Sequence, residues 1–329
     1  MKVYLDTDGY YVFDLEGAER IKVLQLTDIH LGATSLVRRR DEMAKKTVRT
    51  VVADAAPDLV VCTGDNVYPV PVSSFTINNK RQTATFVELM ESLGVYWTTV
   101  FGNHDTESYA TGSKKDLAEI YHSGAHCLFS EGPEDIFGLG NTMIKIKDGD
   151  RLISVLVMLD SNMYTQSQFF SGFDCIHDDQ VEWYSREITR LCLGGDSIIP
   201  SFAFFHIPVQ AYRDAWFALK RGDPDAKYYF GDVGEGTRRY KDYFGCPKVD
   251  GRFWDEVLAL GSTKGLFCGH DHLNTSSIEY KGVRLTYGYS VDYLAYLYIL
   301  KRSSQRGGTL LTIDRNANFD IKPIFYVNK

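Results

Sequence analysis

Five short fragments of this chain each end a hydrophobic run with a side chain able to bind a metal ion. They are Thr27-Asp28-Ile29-His30, Thr63-Gly64-Asp65-Asn66, Phe101-Gly102-Asn103-His104-Asp105, Phe204-Phe205-His206 and Gly269-His270-Asp271-His272. Together they offer two carboxylates (Asp28, Asp65), one amide (Asn103) and four imidazoles (His30, His206, His270, His272), with His104 to spare. That is about the donor set two adjacent cations need. Ligands placed at the ends of distant strands require a fold in which those ends meet, and this requirement narrows the choice of architecture more than anything else in the chain.

Parallel strands joined by helical crossovers satisfy it, because they bring all their C-terminal ends to one edge of a sheet. The hydrophobic pattern is of that kind. Strands are expected within 4–13 and over 21–27, 58–63 and 95–101, with helices over 41–56, 81–93 and 113–122 between and after them, Pro57 stopping the first helix. The strand, ligand loop, helix unit thus occurs three times. The second half predicts strands over 141–147, 152–159, 198–205 and 266–268 and helices over 178–193 and 209–220, then short alternating strands closing with a hairpin near Arg315-Asn316-Ala317-Asn318. The element order fits an α/β fold, a helix-flanked β-sandwich of two mixed sheets, as one catalytic domain over 1–329 with a β-rich C-terminal extension over 274–329. Residues 222–252, rich in Gly, Tyr and charge, read as an irregular insertion or lid, with Arg238 and Arg239 as candidate phosphate contacts.

Composition excludes several classes. Thirty-six basic against 43 acidic residues give a formal charge of −7, which disfavours nucleic acid and anionic membranes as partners. The one dense basic run, Arg38-Arg39-Arg40, is answered at once by Asp41 and Glu42 and reads as the start of a solvated helix. Six cysteines without a Cys-x-x-Cys pair suit free thiols in a reducing compartment. The N-terminus becomes charged too soon for a signal-peptide core, and no run reaches the ~18 apolar residues of a membrane span. A cytoplasmic protein is expected.

The ordered set Asp-x-His, Gly-Asp, Gly-Asn-His-Asp, His, Gly-His-x-His resembles the calcineurin-like metallophosphoesterases over residues 23–273. Gly-Asn-His-Asp and Gly-His-x-His after hydrophobic strands are its specific parts. Within that superfamily the chain looks similar to the small cytoplasmic proteins grouped near the purple acid phosphatases. The resemblance implies a four-layer α/β/β/α fold and two metal ions, divalent or mixed-valence, Mn, Fe or Zn. It implies Asp28, His30, Asp65 and His272 around one metal and Asp65, Asn103, His206 and His270 around the other, with Asp65 shared.

It also implies hydrolysis of phosphate esters, most simply by a phosphomonoesterase, through a metal-bridging hydroxide. His104 would protonate the leaving group, Asp105 would hold its other ring nitrogen, and Asn103 would also face the substrate. In purple acid phosphatases Gly-Asp-x-x-Tyr supplies a tyrosinate ligand, and Gly64-Asp65-Asn66-Val67-Tyr68 matches it. Those enzymes lack the His of Asp-x-His, so His30 and Tyr68 compete for one position here. A neutral imidazole binds without the cost of ionising a phenol of pKa about 10, which favours His30 and leaves Tyr68 as a pocket wall.

Asn66 and Asn162 complete the candidate pocket, Asn162 because Asp160-Ser161-Asn162 also ends a hydrophobic strand. The substrate is expected to be a phosphorylated small molecule or phosphoprotein. A phosphodiesterase or nuclease with the same core, and a noncatalytic metal-binding scaffold, are the competing readings.

Overall fold

The computed structural model describes residues 1–165, 172–193, 198–233, 244–295, 300 and 306–327. Along the chain run β1 (Lys2–Leu5), β2 (Tyr11–Asp14), β3 (Arg20–Leu26), α1 (Arg38–Ala55), β4 (Leu59–Cys62), α2 (Pro71–Ser74), α3 (Asn79–Glu91), β5 (Tyr96–Thr99) and α4 (Lys114–Tyr121). Then come β6 (Thr142–Asp148), β7 (Arg151–Met158), α5 (Asp178–Cys192), β8 (Ser201–Phe204), α6 (Ala211–Lys220), β9 (Ala226–Phe230), α7 (Phe253–Leu260) and β10 (Thr263–Cys268). Last are β11 (Ser277–Tyr280), β12 (Val283–Tyr287), β13 (Gly307–Asp314) and β14 (Phe319–Phe325).

The strands form a nine-stranded sheet, β1-β2-β6-β7-β8-β10-β12-β11-β9, and a five-stranded sheet, β14-β13-β3-β4-β5. Both are mixed, and the two face each other between layers of helices. The period-2 alternation of a strand explains the sandwich. In β4, Leu59 and Val61 point into the space between the sheets, whereas Val60 and Cys62 point to the helices. In β8, Phe202 and Phe204 face inward while Ala203 and the following Phe205 face outward.

Helices α1, α3 and α4 cover the smaller sheet through Ala44, Val48, Phe86, Met90, Leu117 and Tyr121. Helices α5, α6 and α7 cover the larger one; α5 buries Val181, Tyr184 and Ile188, one helical face, each contributing roughly 1.5–3 kcal/mol. Its start is fixed by a capping box between His177 and Gln180, with Asp178 and Asp179 in the first turn of the dipole.

The parallel pairs decide function. Leu26 lies beside Cys62 and Cys62 beside Thr99, so β3, β4 and β5 end level. Across the sandwich Met158, Phe204, Phe267 and Thr286 are level in the parallel set β7, β8, β10 and β12. Both sheets therefore deliver their loops to one edge.

Three sequence expectations change. The segment 222–252 is not irregular throughout: β9 lies inside it and pairs with β11. Helix α7 follows it directly and was missed, because its short apolar run carries no N-cap residue. The described strands of the segment 274–329, expected as an extension, are built into both sheets: β11 and β12 join the larger, while β13 pairs along β3. Arg238 and Arg239 lie outside the described residues. Arg38 opens α1, as the charge run suggested.

Candidate metal centre

The ligand loops are shaped by close backbone approach. Gly64 adopts φ +84°, and a Cβ there would stand 2.6 Å from the Gly102 nitrogen; a Cβ on Gly269 would collide with the Thr27 hydroxyl and lie 2.9 Å from Asp28 Oδ2. The motif glycines are thus required because loops from different strands touch. Four ligand candidates, Asp28 (φ 51°), His30 (54°), Asp65 (53°) and His270 (73°), themselves sit in the left-handed region. Each such residue costs on the order of 1–3 kcal/mol and persists only where its surroundings hold it. One support is Asp41 on α1, whose two oxygens each accept a backbone N–H, from Gly32 and Ala33, at 2.9 Å.

Two groups of donor atoms result, each within 4.8 Å of one another: Asp28, His30, Asp65 and His272, and Asp65, His206 and His270. Asp65 belongs to both. Its Oδ2 lies 3.3 Å from His30 Nε2 and 3.2 Å from His206 Nε2, and His272 Nε2 lies 3.2 Å from Asp28 Oδ1. Asn103 Oδ1 is 3.1 Å from His206 Nε2.

The tautomers fit metal binding. His206 Nδ1 donates to the Thr63 carbonyl at 2.8 Å, and His272 Nδ1 donates to Asp292 Oδ2 at 3.1 Å. An acceptor-only partner at Nδ1 forces the proton there and leaves the Nε2 lone pair facing the cluster. Mixed oxygen and imidazole donors of this kind suit Mn, Fe or Zn.

The cluster carries strong mutual polarisation. Burial penalises the Asp65 carboxylate, yet the rings of His206 and His104 outweigh it and hold the carboxyl well below its usual range. Asp28 is lowered likewise, against burial, by His272. Burial would lower His206, but Asp65 raises it to about 9, so a cation taking Nε2 displaces a proton from it and exposes the lone pair. His270, penalised by burial and by His206, falls to about 3.

Tyr68 stacks on His30 with ring centroids 4.6 Å apart and planes 14° from parallel, and meets His104 edge-on at 4.8 Å. The imidazole occupies the cluster and the phenol ring covers it.

His104 stands at the rim, its side chain 24% exposed. Its Nδ1 bonds Glu107 Oε1 at 2.7 Å. This corrects the assignment of Asp105. That carboxylate is fully buried and accepts from the backbone N–H groups of Gly102, Asp65, Asn66 and Val67 at 2.7–3.2 Å, tying the loop after β5 to the loop after β4. Burial and the neighbouring Asp65 push its carboxyl upward.

Two pocket candidates are also corrected. The Asn66 side chain is buried and donates to Thr99 Oγ1 at 2.8 Å, and Asn162 donates to the Cys175 carbonyl and to Gln180 Oε1, tying its loop to α5. Three residues that matter here, Asp292, Glu107 and Tyr164, were not singled out in the sequence. Asp292 braces two rings at once, 3.1 Å from His272 and 3.6 Å from His30, and against burial these rings hold its carboxyl at about 2. His122, His126 and His177 lie outside the cluster, as expected, with Glu131, Glu91 and Asp174 as their partners.

A four-layer sandwich with this donor set at one sheet edge defines a metallophosphoesterase. The chain belongs to the calcineurin-like phosphoesterase family, whose model matches residues 21–274. It is similar to a plant protein named "Probable inactive purple acid phosphatase 29" from Arabidopsis thaliana, 26% identical over 90% of this chain and 77% of that protein. "Probable inactive purple acid phosphatase 14" from the same organism is 27% identical over 86% of this chain and 73% of that one. A solved structure described as a dimetal phosphatase from Danio rerio shares the fold, with a TM-score of 0.56, 15% identity and coverage of 94% of this chain and 97% of that chain. Among the described residues no helix is long and apolar enough to cross a membrane.

Proposed function

We propose that this chain hydrolyses phosphate monoesters with the help of two metal ions, Mn, Fe or Zn. The observation that carries the reading is the complete donor set: Asp28, His30, Asp65 and His272 on one side, Asp65, His206, His270 and Asn103 on the other, with the lone pairs of His206 and His272 turned inward. Bound there, two ions would supply a water of lowered pKa and neutralise the phosphate oxygens.

The chain's own residues do the rest. His104 gives Nδ1 to Glu107 and keeps Nε2 for the substrate. Burial would lower its proton affinity, but Asp65 and Glu107 raise it, so the ring is stocked with a proton for the departing oxygen. Tyr68 walls the site behind it. The formal charge of −7 supports a small phosphorylated molecule or phosphoprotein over nucleic acid, and the described cysteines, all free, support a cytoplasmic setting. The word inactive in the plant relatives' names belongs to those proteins; the full donor set here supports activity in this one.

The test is a panel of para-nitrophenyl phosphate, its bis-ester and cyclic nucleotides, applied to protein whose bound metals have been measured. Monoester turnover is expected. Faster diester turnover would make it a phosphodiesterase, and metal-free protein that stays inert after addition of Mn, Zn or Fe would make it a noncatalytic scaffold. In His104→Ala, metal content should persist while turnover falls about 10²–10⁴-fold, most for poor leaving groups. Parallel loss of metal would make His104 structural.

A further inference from the structure

Two short segments, 163–165 and 172–174, run side by side at the edge of the centre. They are joined by a bridge between Tyr164 and Phe173 and by bonds from Thr165 N to the Gly172 carbonyl and from Asp174 N to the Met163 carbonyl. The Tyr164 ring stacks on Phe173, and Phe173 meets His270 edge-on at 4.2 Å. Its hydroxyl lands between two side chains of the opposite sheet: it lies 3.0 Å from Asn103 Nδ2 and 3.2 Å from Glu107 Oε1. The same Glu107 oxygen is the one that meets His104 Nδ1.

The polarity of this chain of groups is not free. An ionised carboxylate only accepts, so both neighbours of Glu107 Oε1 must donate to it. His104 must then point an N–H from Nδ1 at it, whether or not Nε2 also carries the proton for the leaving group, and Tyr164 must spend its single proton on Glu107. The Tyr164 oxygen is left as an acceptor, and the amide nitrogen of Asn103 donates to it. The Asn103 oxygen is thereby turned the other way, to its observed place 3.1 Å from His206 Nε2.

We infer that Glu107 and Tyr164 are positioning residues that set two groups at once: the tautomer of His104 and the orientation of the Asn103 amide. Nothing in the family motifs assigns either residue this part. The amide half of the inference rests on the phosphoesterase reading, because it matters only if Asn103 holds an ion. The tautomer half stands without metal.

Two substitutions separate these halves. Tyr164→Phe removes one hydroxyl from a side chain that is 41% exposed. Titrated with Mn(II) by calorimetry, the wild type should take up two ions, and Y164F should bind one of them about tenfold more weakly while the other is unchanged. Nitrogen-15 NMR of histidine-labelled, metal-free protein, at a pH high enough for the ring to be neutral, should show the Nδ1–H form of His104 in wild type and in Y164F. In Glu107→Gln, whose amide can donate as well as accept, the same resonance should shift toward a mixture of tautomers.

If Y164F binds both ions as the wild type does, the amide half is overturned while the function stands. If the wild type takes up fewer than two ions, the phosphoesterase reading falls and takes the amide half with it. An unchanged His104 resonance in E107Q overturns the tautomer half in either case.

Discussion

The two halves of the centre share Asp65 but are built differently. Asp28, His30 and His272 are each at most 4% exposed, and Asp292 stands behind both rings. Three carboxylates therefore answer two imidazoles. In the other half Asp65 is the one carboxylate in the described donor group. His206 leans on a backbone carbonyl, Asn103 on a phenol, and the partly exposed His270 is held by the Phe173 ring on one side and the backbone of Gly245 on the other, where a Cβ would stand 2.6 Å from its Cδ2. The first half is buried and rich in carboxylates; the second has one carboxylate in its described donor group and opens to the rim. A cation should accordingly be held more firmly in the first half and exchange more readily from the second.

The comparison can be broken most directly at the group both halves share. Asp65→Ala should reduce bound metal from about two ions per chain to fewer than one, by plasma mass spectrometry. Retention of one firmly held ion would show that the halves are independent. Next in size, His206→Ala should empty the second half alone and leave about one ion, whereas His272→Ala should release the tighter ion. Equal behaviour of these two variants would remove the asymmetry. Asp292→Asn keeps the shape and deletes the bracing charge; metal affinity in the first half should fall about 10–100-fold with the second half spared.

The smallest effect is on acid stability of the metal-free protein. The folded Asp292 carboxyl titrates at about 2 against an ordinary 3.8. A depressed carboxyl contributes stability that is present above the unfolded pKa and is lost as pH falls through the folded one. Wild type should therefore lose on the order of 2 kcal/mol more than D292N between pH about 4 and 2, read from denaturant titrations at each pH.

Most of the centre was legible because its ligands end strands, and strand ends announce themselves by a hydrophobic run stopping at Gly, Asp or His. The supporting groups were hidden for a physical reason: their partners are distant in sequence. Asp292 follows Tyr289-Ser290-Val291, with nothing local to mark it, and finds His30 and His272 only through the bridge between Thr27 and Ser290. Asp105 looked like a partner for the adjacent His104, but adjacency along a tight loop points consecutive side chains apart, and Glu107, two residues further on, returns to the ring. Asn66 and Asn162 follow good motif positions yet turn into the protein. In the fold, β9 and α7 were missed because they are short and their pairing partners, β11 and α5, are elsewhere in the chain. The level ends of β3, β4 and β5, which need only the repeated unit, were readable.

The pairing of β13 with β3 also governs how the molecule comes into being. Thr309 lies beside Gln25 and Ile313 beside Ile21, so the strand that delivers Asp28 has no neighbour on one side until nearly the whole chain is available. During synthesis β3, β4 and β5 emerge early, with Ile21 and Val23 awaiting a cover and an open edge able to recruit the wrong strand. Such long-range closure makes folding slow. Expression yield should therefore respond more to changes in β13 than to changes at the ligands.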